Sequence, residues 1–129
     1  FLRGFSDDFP IPVSRWTEVR RRDLPSNAGL TVLAESDETG LCLLDDPAHR
    51  MLHMFNHLEY DTTTLADEYN RDRAAGMEMP VPKHYFPSDD PTHRPVNSWR
   101  GHAHLLFGNW INQMYQTTPF NVDSIGLAA

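Results

Sequence analysis

The run from Arg50 to Asp61 constrains this chain more than any other, because its character changes twice within one short stretch. Met51, Leu52, Met54 and Phe55 read as an apolar strand. Asp61, Thr62 and Thr63 are residues that favour the start of a helix. His57 and Glu59 fall between them. An extended backbone sends residues i and i+2 to the same side, so the two side chains are expected next to each other just past the strand's end. A carboxylate on one ring nitrogen fixes the tautomer and leaves the other nitrogen free to accept a proton from a nucleophile. The end of a strand leading into a helix is also where α/β sheets place their ligands.

The rest of the chain fits around that junction. Residues 30–35 and 41–44 are short apolar runs, separated by a polar turn sequence that ends in Gly40, and are expected to form a hairpin. Asp45, Asp46 and Pro47 make the next turn, so residues 50–55 become the third strand of a meander. A helix is expected from Asp61 to about Ala75, stopped by Gly76. Thr64, Glu68 and Arg71 line one stripe of it and Leu65, Ala66 and Tyr69 another. Residues 77–97 hold five of the ten prolines and read as a lid or a strap across the core. Asn97 or Ser98 is expected to cap a last helix whose core face would be Trp99, Ala103, Leu106, Phe107, Trp110 and Met114. Before the hairpin, residues 1–16 suit irregular structure, and residues 16–24 a short helix with Arg20, Arg21 and Arg22 as a solvated face.

Composition removes several function classes. The 129 residues suffice for one domain, and 40% hydrophobic content is globular. A net charge of −7 argues against nucleic-acid and acidic-membrane partners, which need a basic surface. No apolar run approaches the ~20 residues of a membrane span, and the start does not read as a signal segment. Cys42 is the single cysteine, so no internal disulfide can form, and a reducing, cytoplasmic setting is expected. Its apolar neighbours mark it as a buried, inert thiol. His102 and His104 stand two apart on a helix and point to different faces, so no metal pair is expected there, and no metal or bound cofactor is expected elsewhere. The first residue, Phe1, suggests a piece of a longer protein.

Six segments read together carry a resemblance: Phe1-Leu2-Arg3-Gly4-Phe5, Pro12-Val13-Ser14-Arg15, His57-Leu58-Glu59-Tyr60-Asp61, Leu65-Ala66-Asp67-Glu68-Tyr69-Asn70-Arg71-Asp72, Tyr85-Phe86-Pro87, and Trp99-Arg100-Gly101-His102-Ala103-His104-Leu105-Leu106-Phe107-Gly108-Asn109-Trp110. The chain resembles the homoserine O-acyltransferases of methionine biosynthesis, along nearly its whole length. The resemblance implies an α/β fold: the C-terminal half of a flavodoxin-like, class I glutamine-amidotransferase-like sheet with flanking helices, with residues 1–129 as the C-terminal portion of one acyltransferase domain. It also implies transfer of a succinyl or acetyl group from acyl-coenzyme A, a co-substrate, to L-homoserine through an acyl-cysteine intermediate. His57 matches the family's general base and Glu59 its orienting acid. Arg71 matches the arginine that holds the substrate carboxylate, and Ser14 a substrate-binding position. Glu68 and Arg15 are second substrate contributors.

Asn56 and Leu58 depart from relatives that carry glycine and proline there. The family's nucleophile and oxyanion hole lie upstream of every matched motif, so the N-terminal half of the same enzyme is an expected partner and this chain alone is expected to be inactive. The family commonly forms dimers, so a homodimer is expected too. Two other readings compete: a Cys-His-Glu hydrolase or glutaminase on the same scaffold, and a non-catalytic binding module.

Overall fold

The sheet is built around the most apolar run in the chain. In the computed structural model, which describes residues 1–121 and 123, strand β2 (Gly40–Asp46) lies between β1 (Thr31–Ser36) and β3 (Met51–Met54) in an antiparallel sheet of order β1-β2-β3. Four consecutive residues, Leu41, Cys42, Leu43 and Leu44, are buried whichever face they point to. A central strand covered on both faces needs no polar alternation. The expected hairpin and meander therefore form, with Leu43 opposite Met54 and Leu44 opposite His53. β1 keeps its register with β2 only through irregularities on either side of Ala34. At the hairpin Gly40 has φ +77, and a Cβ there would lie 2.5 Å from the Val19 carbonyl oxygen. Glycine alone satisfies both conditions. The same carbonyl accepts a hydrogen bond from Leu41 N at 2.8 Å.

The segment before the hairpin differs from expectation. Residues 16–24 form no α-helix; only Arg21–Asp23 make a 3-10 turn, and Trp16 is 80% exposed. The cause is the hairpin itself. Arg20 donates to the Asp37 and Glu38 carbonyls as well as to Glu18, and Arg21 reaches Glu35 on β1 at 2.6 Å. These long-range bonds hold the segment along the turn. The arginine run is an exposed face already paired with carboxylates.

Helix α1 (Thr64–Ala74) ends as expected, with Gly76 at φ +82. Its start is different. Thr63 occupies the cap position, yet no threonine or aspartate side chain caps the helix. Tyr85 does this instead: its hydroxyl accepts from Ala66 N at 3.2 Å and donates to the Thr62 carbonyl at 2.6 Å. The phenol satisfies one of the N–H groups a helix start leaves open and at the same time ties down the carbonyl of the residue before the cap position. Tyr85 belongs to the proline-rich stretch 77–97, which runs as a strap. Its buried Tyr85 and Phe86 pack edge-to-face at 4.7 Å, with Trp99 6.1 Å from Tyr85 and Tyr69 6.4 Å from Phe86. Together with Cys42, Leu43, Leu58, Leu65, Ala66 and Leu106 they make the core.

Helix α2 (Arg100–Thr117) has Trp99 at its cap position with no side-chain cap, rather than the expected Asn97 or Ser98; Asn97 Oδ1 accepts from Arg100 N at 2.9 Å from two residues before the cap. Its apolar stripe is core only in part. Trp99 and Leu106 are buried, whereas Phe107, Trp110 and Met114 are 37%, 40% and 46% exposed, followed by Ile111 and Tyr115 at 60% and 65%. The N-terminal segment covers the first half of α2: Asn109 Nδ2 donates to the Phe1 and Arg3 carbonyls, and His102 stacks on Phe9 with Phe5 tilted against it. Toward the C-terminal end Phe120 lies tilted against Tyr115 with ring centroids 5.6 Å apart, and Ile111, Met114 and Tyr115 stay exposed. Among the described residues the architecture is a three-stranded antiparallel sheet with two α-helices, an α/β arrangement.

Candidate active site

The last residues of β3 deliver the chain to the site by backbone bonds. Phe55 N donates to the Cys42 carbonyl at 2.9 Å, which extends the β2–β3 pairing by one residue, and His57 N donates to the Pro12 carbonyl at 2.9 Å. The second bond brings residues 12–15 alongside the His57 loop. His57 Nδ1 lies 2.7 Å from Glu59 Oε1. The two side chains do meet, although through a turn rather than along an extended strand, since Tyr60 N closes back on the His57 carbonyl at 3.4 Å. His57 Nε2 faces the Ser14 carbonyl oxygen at 3.2 Å. The His57 side chain is 28% exposed and Glu59 48%, so the pair sits at the surface with one ring edge turned inward.

Three further sequence candidates gather near it. Glu68 on α1 accepts a hydrogen bond from the Tyr60 hydroxyl through Oε1 at 2.9 Å, while its buried Oε2 has no partner among the described residues. Arg71, one turn further, is fixed through Nε to Asp72 Oδ1 at 2.7 Å, and Asp72 pushes its basicity still higher. The two terminal nitrogens of Arg71 remain unpaired among the described residues, which leaves the end of the guanidinium fork free for an incoming carboxylate. Ser14, Glu68 and Arg71 line a cleft of about 1170 Å³. His57 and Glu59 stand beside its wall, joined to it by the Ser14 carbonyl. Arg15 also lines the cleft, but two of its nitrogens already donate to the carbonyls of Thr39 and Leu41, so it holds the hairpin in place.

Sequence reasoning passed over Tyr60 and Asn56. Tyr60 stacks on the His57 ring with centroids 4.2 Å apart and planes 19° from parallel. Burial, and next the Glu68 carboxylate, push its hydroxyl pKa up to about 12, against a smaller opposite effect of Ser14. Its place three residues after His57 was the available signal. Asn56, 5% exposed, also lines the cleft, and its side-chain oxygen has no partner among the described residues.

Cys42 is 3% exposed, and burial pushes its thiol pKa up to about 11 against smaller opposing effects of Arg15 and Asn56. At pH 8 only about one thiol in 10³ is then thiolate. Iodoacetamide is therefore expected to leave Cys42 unmodified in the folded protein over an hour at pH 8 and to label it quickly in denaturant; intact mass reads both. Rapid labelling of the native protein would show the thiol is accessible and ionised. Among the described residues no group of three or more His, Cys, Asp or Glu side chains is arranged to hold a metal ion.

Fold and site together define an α/β protein that presents a histidine–carboxylate pair beside a cleft carrying an arginine. Residues 1–120 match the family model described as HTS: Homoserine O-succinyltransferase, and the chain belongs to that family. Proteins of Brucella canis, Brucella suis and Brucella abortus named homoserine O-acetyltransferase are each 68% identical to it over 126 residues, a match covering 98% of this chain. The chain spans 41% of the length of these curated relatives.

Proposed function

We propose that this chain is the C-terminal portion of a homoserine O-acyltransferase acting in methionine biosynthesis in the cytoplasm. The whole enzyme moves an acetyl or succinyl group from acyl-coenzyme A to the hydroxyl of L-homoserine. The observation that carries this reading is the 2.7 Å His57–Glu59 contact beside a cleft holding Arg71, in a chain matching the family over residues 1–120. The relatives' name favours acetyl and the family description names succinyl, so both donors enter the test.

In this reading the remaining length of the enzyme completes a class I glutamine-amidotransferase-like fold and supplies the cysteine nucleophile and oxyanion hole. The exposed face of α2 from Phe107 to Tyr115 supports such a covering partner within the same polypeptide. The cysteine thiolate attacks the thioester carbonyl, the bond to coenzyme A breaks, and the leaving thiolate takes the proton held by His57. The homoserine hydroxyl then attacks the acyl-cysteine while His57 accepts its proton, and the cysteine thiolate departs. Glu59 orients the imidazole through both steps.

The test is release of coenzyme A by the full-length enzyme from acetyl- and succinyl-coenzyme A, with and without homoserine. Release that requires homoserine and yields O-acylhomoserine supports the reading. Release without homoserine makes the protein a hydrolase. The 129-residue chain alone is expected to form no acyl-enzyme.

Arg71→Lys separates the substrates. Lysine keeps the charge but not the two-pronged fit to a carboxylate, so the KM for homoserine is expected to rise about tenfold with that for acyl-coenzyme A nearly unchanged. A rise confined to the donor would place Arg71 in the coenzyme A site.

A further inference from the structure

We infer that Tyr60 is a positioning residue that couples the histidine base to the acceptor subsite, its ring setting the plane of the His57 imidazole and its hydroxyl setting the Glu68 carboxylate. The inference rests on the acyl-transfer reading and adds a residue to it.

Three contacts carry it. The Tyr60 and His57 rings are close to parallel, with centroids 4.2 Å apart. A ring lying flat on another resists tilting of the imidazole, while Glu59 at Nδ1 controls only its in-plane direction. The Tyr60 hydroxyl donates to Glu68 Oε1 at 2.9 Å, leaving Oε2, buried in the wall of the cleft and unpartnered among the described residues, as the free acceptor. A buried carboxylate oxygen without a partner is costly, and it fits a ligand with N–H donors. An α-amino acid supplies these from its ammonium group while its carboxylate meets Arg71, one turn along the same helix. The third contact fixes Tyr60 itself: Trp99 Nε1, from the start of α2, donates to the Tyr60 carbonyl at 2.9 Å. Tyr60 is thus held by one element, stacked on the base and bonded to a second element.

The hydroxyl suits this work. With a pKa of about 12 it stays protonated throughout the working range and remains a donor to Glu68. Phenylalanine keeps the ring and removes the bond; leucine removes both. That pair of substitutions separates the two halves of the inference.

In the full-length enzyme Tyr60→Phe is expected to raise the KM for homoserine about tenfold, while the rate of acyl-enzyme formation and the KM for acyl-coenzyme A stay within about twofold. Tyr60→Leu is expected to show the same homoserine defect and to slow acyl-enzyme formation about tenfold or more, since that step also needs the base correctly aimed. A spectroscopic readout needs no turnover: 15N relaxation spectra of His57 are expected to show a rigid imidazole in wild type and in Tyr60→Phe and added ring motion in Tyr60→Leu, where the stack is gone while Glu59 still sets the tautomer. The inference is overturned if Tyr60→Phe leaves the homoserine KM within threefold, or if Tyr60→Leu matches Tyr60→Phe in both acylation rate and His57 spectrum. Should Tyr60→Leu fail to fold, the Phe variant alone decides, through its split between the two substrates. Loss of homoserine-dependent turnover in wild type would instead remove the acyl-transfer reading, and the 15N spectra would still report on the ring contact.

Discussion

His57→Asn in the full-length enzyme is expected to lower kcat for homoserine acylation by about 10²- to 10⁴-fold, the usual cost of losing a positioned proton carrier. Asparagine offers a side-chain amide of similar reach but cannot take up and return a proton at neutral pH. The fold should bear the change well. The bond that places this loop, from residue 57 N to the Pro12 carbonyl, belongs to the backbone and survives. The stack on Tyr60 is lost, a contact worth roughly 0.5–1.5 kcal/mol, so the melting temperature should fall by only a few degrees. Both half-reactions use the base, so acyl-enzyme formation and its discharge by homoserine should slow together. Rapid-quench measurement of the acyl-enzyme, set beside steady-state release of coenzyme A, reads the two separately. Turnover within tenfold of wild type would remove His57 from the chemistry.

The sequence carried the parts of this structure that depend on near neighbours. Gly40 and Gly76 marked the hairpin turn and the end of α1 because each position needs a positive φ, and the apolar run through Cys42 marked a strand buried on both faces. The pairing of His57 with Glu59 was legible because two residues apart is close enough for either an extended chain or a turn to join them, and the turn is what joins them. Distant chain decided the rest. The start of α1 looked capped by its own threonines, but Tyr85, about twenty residues on, is the cap. Residues 16–24 had the composition of a short helix, and arginine bonds to the hairpin hold them along the turn with only a 3-10 turn at Arg21–Asp23. Helical spacing predicted a fully buried face on α2, and Phe107, Trp110 and Met114 are only partly covered. Periodicity reports which face is apolar and says nothing about whether a neighbour is there to cover it. In the site, Ser14 and Glu68 reach the His57 loop only through the packing of the N-terminal segment and α1. Their partner Tyr60 gave no chemical signal of its own.

Glu59→Gln tests the other half of the pair, and its expected size follows from how exposed the carboxylate is. Glutamine keeps the shape and offers Nδ1 either an amide oxygen or an amide NH2. The second choice stabilises the wrong tautomer, with the proton on Nε2, where a lone pair is needed. A buried orienting carboxylate replaced in this way costs on the order of 10⁴ in kcat. Glu59 is 48% exposed, so water can take over part of the contact, and the loss is expected nearer about 10²-fold. Raising pH should recover little, because the defect lies in which nitrogen carries the proton rather than in how many protons are bound. Glu59→Asp should recover part of the rate, since it restores the charge one methylene short of the 2.7 Å contact. The decisive measurement is kcat for the three forms from pH 6 to 9, with the acyl-enzyme trapped in each. If the glutamine variant turns over within threefold of wild type, Glu59 is a surface partner of the ring and some other group in the complete enzyme orients His57. If aspartate is no better than glutamine, distance matters more than charge, and the contact works by holding the ring in place rather than by its negative field.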